Sequence, residues 1–480
     1  IKIMISIKSL FKSSIIYGLG SALVRIMTFA LVPLYTNDGG WYGHYVMIFP
    51  IIGILRACYS HGSGESFLKL YSQSKNKKEL ISTYIIHTII ITIGISIILM
   101  IIHYFVPLQN AQSLIGLLQI YFYYILIIVG LDTLNYRIMD ILRIKNYPLY
   151  YMIVHFFGQL ITILLAIYYV TNQDLGLKGA LLALVYGGLM TFIMFVPILF
   201  KYIDIKKYSS HYVKQIFSLG VRFFPATIFF LLMTQLDKFL IYFFLPNAEP
   251  IVGAYGAAVK LASIPILLIG AFNLGWQPFY LSNGNDSKAI EKYEKIGTVF
   301  AILTLSLAWF VAIIMPLIAN MNIPYIGKVV NMENYPMSSS IIPIIVIAHF
   351  FYALYIINMP SIYVCNKQNW SPIFRMFGAI VNLILNIILI PKYEMLGAAL
   401  ATSISYALMF SWLFYKNKKW MPINLAWYDI ILLGLISVVS VWHFMIVSPW
   451  QYYSMVITIL YIGFLLYKHG LKQLILLFNN

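Results

Sequence analysis

Residues 17–43 read YGLGSALVRIMTFALVPLYTNDGGWYG, and residues 230–256 read FLLMTQLDKFLIYFFLPNAEPIVGAYG. Each is an apolar run of bilayer-entering length that holds one cation, reaches a proline and continues into Tyr-Gly. Laid over each other, they superpose Arg25 on Lys238, Pro33 on Pro246 and Tyr42-Gly43 on Tyr255-Gly256, and the register carries on to Gly62 over Gly275. One helix pair is used twice. A second match puts Gly179-Ala180-x-Leu182-Ala183 over Gly397-Ala398-x-Leu400-Ala401, at a slightly larger offset that a longer loop in the second copy explains.

The composition around these runs excludes a soluble globular chain: 61% of the 480 residues are hydrophobic and 10% charged, with mean hydropathy +0.85. Apolar runs recur along the whole length and leave no room for a soluble domain. Fourteen helices are expected, starting near Ser13, Trp41, Ile81, Leu114, Pro148, Gly176, Phe217, Ile251, Ile296, Ser338, Pro372, Leu396, Asp429 and Trp450. The first, preceded by Lys2, Lys8 and Lys12, is too long for a signal-peptide core and is read as a retained helix. Cys58 and Cys365 fit no disulfide framework and no metal-ligand spacing, and are read as small buried apolar residues.

The net charge of +17 would raise nucleic-acid binding in a soluble protein. In a membrane chain its distribution matters more, and no nucleic-acid partner is expected. Alternate connections hold Lys2 to Lys12, Lys69 to Lys78, Arg137 to Lys145, Lys201 to Lys214, Lys288 to Lys295, Lys367 with Arg375, Lys416 to Lys419, and Lys468 with Lys472. The opposite side is left with Lys178, Lys328 and Lys392. By the positive-inside rule both termini are cytoplasmic.

The repeat spans six helices, an even number, so its copies share one membrane orientation and would rock about a central cavity. The expected fold is therefore all-α and polytopic, with two pseudo-symmetric six-helix lobes, residues 1–214 and 215–419, and two accessory helices in residues 420–480. Arg25, Arg56, Arg222, Lys238 and Lys260 fall inside spans. A charge at a helix centre costs about 2.5–3.5 kcal/mol on insertion scales and marks a pathway unless it snorkels, an explanation that serves Arg222 well and Arg56 partly. Asp132 and Asp237 are the acids within spans, candidates for ion coupling or charge pairing. A cationic interior favours an anion, above all a phosphate.

Other residues carry competing readings. Trp276-Gln277-Pro278-Phe279 is a candidate gate, on the expectation that Pro278 breaks the eighth helix there, or else an interfacial anchor. Asn382 and Asn386 share a helix face, suited to interhelical hydrogen bonds or substrate contact. His61, Glu65 and Lys69 read as a solvated face. There is no P-loop, no metal site and no cofactor motif, the outer loops are too short for a catalytic domain, and no enzymatic activity is expected.

Several stretches resemble a known family. Tyr17-Gly18-Leu19-Gly20-Ser21, Arg25, Phe29, Val32-Pro33-Leu34-Tyr35-Thr36 and Tyr42-Gly43-x-Tyr45 are similar to the opening of Wzx-type O-antigen and capsule repeat-unit flippases. These belong to the polysaccharide transporter family of the MATE-like (MOP) flippase superfamily. Phe224-Pro225, Asp237-Lys238, Gly253-x-Tyr255-Gly256-x-Ala258-x-Lys260-x-Ala262 and Trp276-Gln277-Pro278-Phe279 follow the same pattern. Asp38-Gly39-Gly40-Trp41, where the family more often has a Pro-containing turn, and Lys69, where many members have Arg, depart from it.

The resemblance implies alternating access driven by an ion gradient, H⁺ or Na⁺, in a bacterial cytoplasmic (inner) membrane. It implies a polyprenyl-diphosphate-linked oligosaccharide as cargo, with Arg25, Arg56, Lys238 and Lys260 meeting the diphosphate. Its partners would be membrane lipids, a polysaccharide polymerase and a chain-length regulator. A lipid II flippase is the near alternative. A MATE-type drug/cation antiporter and a membrane polysaccharide polymerase are more distant ones, the first disfavoured by the cationic interior and the second by the short outer loops.

Overall fold

The computed structural model describes residues 23–24, 27–37, 40–107, 114–323, 327–330 and 340–470. Its helices are α1 (Leu31–Asn37), α2 (Tyr42–Ser60), α3 (Ser63–Gln73), α4 (Lys77–Phe105), α5 (Leu114–Ile120), α6 (Phe122–Ile144), α7 (Pro148–Ile167), α8 (Gly176–Tyr202), α9 (Ser210–Phe244), α10 (Ala248–Ala262), α11 (Ile264–Asn283), α12 (Ser287–Asn320), α13 (Ile342–Ile357), α14 (Pro360–Val364), α15 (Trp370–Trp420), α16 (Trp427–Met445) and α17 (Gln451–His469). A two-residue antiparallel ladder, Asn322–Ile323 with Gly327–Lys328, is the only sheet among the described residues. The fold is all-α and polytopic, as the apolar runs require.

Among the described residues nine helices are long and apolar enough to cross a bilayer. The number is eleven if Tyr42–Ser60 with Ser63–Tyr71, bent by 42°, and Leu114–Ile120 with Phe122–Ile144, bent by 72°, each count as one span. This falls short of the expected fourteen for physical reasons. The first expected helix lies largely outside the described residues, α17 is diluted by tyrosines and by Lys468-His469, and the eleventh and twelfth are joined in α15. That 51-residue element is not one rod, because Glu394 has φ 50°, ψ −130°. The Asn382 side-chain amide reaches the Thr402 hydroxyl at 3.3 Å, whereas twenty residues of straight helix would separate them by about 30 Å. The chain therefore folds back on itself at Glu394.

The chain forms two compact units, Leu19–Phe239 and one from Leu240 onward, dividing within α9. In the first, Phe67, Tyr84, Ile138, Leu142, Phe195 and Ile216 pack α3, α4, α6, α8 and α9 into one core. Ile48, Ile52, Val129 and Leu181 join α2, α6 and α8 in another. In the second unit α13 is buried along most of its length, including Ile345, Val346, Leu354 and Ile357, and packs against α12 and α15. A helix apolar on every side belongs at the centre of a bundle. Small residues bring α10 close to its neighbours: Gly253, Ala254, Gly256, Ala257 and Ala258 are all buried.

The α7/α8 contact is a reciprocal pair of Gly-x-x-x-Thr motifs. The Thr162 hydroxyl donates to Gly158 O and the Thr191 hydroxyl to Gly187 O, each at 2.9 Å. A β-carbon on Gly158 would run into the Thr191 hydroxyl, and one on Gly187 into that of Thr162. Gly187→Ala is expected to destabilise the protein by about 1–3 kcal/mol through overpacking, read as a lowered thermal unfolding midpoint in detergent. Gly158→Ala should do the same, and the pair should be non-additive because both changes act on one interface.

Candidate functional site

Of the expected cavity cations, Arg25 lies outside the described residues. Arg56 of α2 pairs with Asp132 of α6, Nη1 to Oδ2 3.7 Å, and its guanidinium stands 4.8 Å from the Tyr136 ring, one turn further along α6. Both charged side chains are partly exposed, at 38% and 36%. Spacing along the chain could not reveal this, since 76 positions separate the partners.

Lys238, on α9, is 7% exposed and its ammonium donates to the Gln235 side-chain carbonyl. Asp237, 3% exposed, accepts the backbone N–H of Lys238 at 2.8 Å. The two neighbours thus meet through backbone, in keeping with the roughly 100° that separates consecutive side chains on a helix. Lys260 lies half-buried in the last turn of α10, where the Ser263 hydroxyl closes onto its carbonyl at 2.6 Å. Arg222 is exposed, as a snorkelling cation would be.

The Trp276 segment corrects the expectation of a break. α11 continues through Pro278 to Asn283 and stops at Gly284, φ 78°. One proline removes a single hydrogen bond near the helix end, whereas a glycine in the left-handed region terminates it. Trp276 itself is enclosed by protein. It is 2% exposed, donates to Ile356 O at 3.2 Å and stacks on Phe272, which stacks on Phe300 at 3.6 Å. Gln277 beside it is exposed.

Asn386 donates to Asn382 at 2.9 Å and Asn382 to Thr402, so their amides tie the two arms of α15 together. Glu65 and Lys69 are exposed as expected of a solvated face, but His61 turns away from it: its Nε2 lies 3.1 Å from Nε2 of His87. Cys58 and Cys365 are half-buried, not fully enclosed as expected, because each sits near a helix end.

By sequence Arg137 and Arg143 group with a cytoplasmic connection, and Asp140 does not stand out. In the structure Arg137 Nη1 donates to the Tyr84 hydroxyl at 2.9 Å, and that hydroxyl donates to Asp140 Oδ2 at 2.8 Å. Arg137 and Arg143 both approach Asp140, at 3.4 and 3.8 Å. Gly64 makes the space, since a β-carbon there would collide with the Arg137 guanidinium. Asp429 was likewise missed: it is buried and receives Lys468 at 2.8 Å and His469 at 2.6 Å. The one available signal was spacing, because Arg137, Asp140 and Arg143 recur every three residues on one helix face.

The sequence profile of the family described as "Polysaccharide biosynthesis protein" matches residues 10–278, more than half of the chain. The chain belongs to this polysaccharide biosynthesis family. The matched stretch contains the expected cavity cations Arg25, Arg56, Lys238 and Lys260, the acids Asp132 and Asp237, and Trp276 to Pro278.

The fold is shared with solved membrane transporters. A structure of the lipid II flippase MurJ, inward closed, superposes with TM-score 0.66 at 17% identity over 94% of this chain and 97% of that one. An outward-facing MATE multidrug transporter of the MOP superfamily gives 0.59 at 14% identity, covering 86% and 96%. A Vibrio cholerae MATE transporter gives 0.55 at 11%, covering 86% and 97%. An uncharacterized membrane protein of Methanocaldococcus jannaschii is 28% identical over 262 residues, 51% of this chain, and the match spans about half the length of that relative. At these identities the solved structures establish the fold of MOP-superfamily transporters for this family member, and with it a multi-pass membrane protein.

Within that fold the buried Arg137 network makes a sharp prediction. Asp140→Asn strands a guanidinium that burial deprives of water, and should cost about 3–5 kcal/mol. Tyr84→Phe removes hydrogen bonds but no charge, and should cost about 1–3 kcal/mol. Thermal unfolding of both variants in detergent checks the ranking.

Proposed function

We propose that this polysaccharide biosynthesis family member carries a polyprenyl-diphosphate-linked oligosaccharide repeat unit, of O-antigen or capsule type, across the cytoplasmic membrane by alternating access. The observation that carries the proposal is Lys238, a cation buried on a bilayer-length apolar helix whose polar company is an amide and a carboxylate. Such a charge is expensive in hydrocarbon, and an anionic cargo is the physical reason to keep it there. Arg25, Arg56 and Lys260 would complete the set around the diphosphate. The lobes would be residues 1–214 and 215–419 with accessory helices in 420–480, and both termini would be cytoplasmic.

Capture requires no bond to be made or broken, so the protein acts as a transporter and not as an enzyme. An ion gradient, H⁺ or Na⁺, supplies direction, and a polymerase with its chain-length regulator takes up the product. Lipid II is the second reading. It presents the same diphosphate, and the superposition with a structure named as a lipid II flippase favours it over a drug/cation antiporter, which would face the wrong sign of charge.

The experiment is depletion of the protein followed by extraction of polyprenyl-linked saccharides, scored for chain length and for accessibility to an impermeant external reagent. Single repeat units confined to the cytoplasmic leaflet are expected. Single units on the outer leaflet would instead identify a polymerase, and rescue of cells that lack their own lipid II flippase would select the second reading. Lys238→Ala and Arg25→Ala should each lower flipping by about 30-fold or more, the effect of losing one partner of a buried charge contact. Arg25→Lys should retain part of the activity, and full activity in both Ala variants would remove the cationic site.

A further inference from the structure

We infer that His61 and His87 form a binding site for a single proton, and that this proton is the coupling ion of the transport proposed above; the second half of the inference rests on that reading. His61 occupies the break between α2 and α3 in the left-handed region, φ 38°. Its Nδ1 lies 3.1 Å from Tyr59 O, and its Nε2 lies 3.1 Å from His87 Nε2. The two rings are perpendicular, with centroids 5.2 Å apart.

These contacts fix the tautomers. A carbonyl oxygen only accepts, so His61 Nδ1 carries hydrogen, and in the neutral ring Nε2 is then a bare acceptor. His87 must donate to it from Nε2, which leaves His87 Nδ1 as the vacant base of the pair. A proton arriving there turns His87 into an imidazolium that keeps the same hydrogen bond, now charge-assisted. A second proton would set N–H against N–H, and charge against charge, across the same short contact. The pair therefore holds one proton and rejects the next.

Its surroundings connect the proton to the backbone. α9 contributes the uncharged Phe217, 5.7 Å from the His61 ring, and Gly220, whose carbonyl would collide with any β-carbon on Gly62. α6 contributes Arg137, the charge that acts on His61, together with its partner Asp140. α3 contributes Glu65, which acts on Arg137, and α4 contributes Tyr84, which holds it. A proton on the pair thus adds positive charge opposite Arg137, at a helix break bent by 42° that Gly62 and Gly220 leave no slack to absorb. α2, which ends at this break, carries Arg56.

The test is a histidine NMR titration of the full-length ¹⁵N-labelled protein in lipid nanodiscs from roughly pH 8 to 4.5, the window in which imidazoles change charge. The expected result is one step shared by His61 and His87, worth one proton, and its disappearance in His87→Gln. Two independent steps, or no uptake in that window, would overturn the site. His61→Asn is the companion variant, because Asn tolerates the left-handed backbone.

Coupling is read separately, from the rate at which single repeat units reach the outer leaflet with the pH gradient intact or collapsed by nigericin. Collapse of a one-unit gradient should slow the wild type about tenfold, and His87→Gln should show the slow rate with the gradient intact. Flipping that ignores the gradient, alongside a one-proton titration, would overturn the coupling and uphold the site. A wild type that never flips would overturn the transport reading, while the titration still decides whether the proton site exists.

Discussion

Within hydrocarbon neither a peptide group nor a side-chain charge has water to bond with, and every other feature of this protein answers to that constraint. The backbone answers by being helical. The hydroxyls answer by bonding back along their own helices: Thr88 to Tyr84 O, Thr133 to Val129 O, Thr304 to Phe300 O and Ser405 to Ala401 O, all within 2.5–2.9 Å. A hydroxyl satisfied in this way places no demand on a neighbouring helix, so Gly and Ala are free to set the packing distance. The Gly158–Thr162 and Gly187–Thr191 pairs use both devices at one contact.

Charges find company both along their own helix and across to a neighbour. Arg56 takes Asp132 and the face of Tyr136, Arg137 takes Tyr84 and Asp140, and Asp429 takes Lys468 and His469. Lys238 differs in kind, because the side chain that receives its ammonium is an amide. Pairing a buried cation with a full carboxylate would neutralise it. An amide lowers the cost of burial and preserves most of the charge.

The helices were legible because apolar length is a property of contiguous sequence. What was not legible depended on partners far apart in the chain. Arg137 read as a loop cation because nothing near it in sequence announces Tyr84, 53 positions away. His61 read as solvated because its partner is on another helix. Pro278 was over-read: the rule that proline stops helices describes average interiors, while here the helix needs only one more turn before Gly284. The Arg56–Asp132 contact was half legible, in that both residues stood out as charges within spans.

The second match of the internal repeat, Gly179-Ala180 over Gly397-Ala398, acquires a physical cause from the turns that precede it. In the first copy Asp174 and Gly176 have positive φ, 52° and 47°, and a β-carbon on Gly179 would press against the backbone of Tyr169 at 3.0 Å. In the second copy Glu394 has φ 50°, and a β-carbon on Gly397 would collide with the Leu389 carbonyl. Each copy thus reverses the chain through an acidic residue held in the left-handed region and lets a glycine three to five residues later touch the helix just left. Only glycine fits so close to a backbone carbonyl, and only a tight reversal brings it there. Sequence similarity between the halves persists at these positions because the same hairpin geometry, solved once in each unit, admits so few residues.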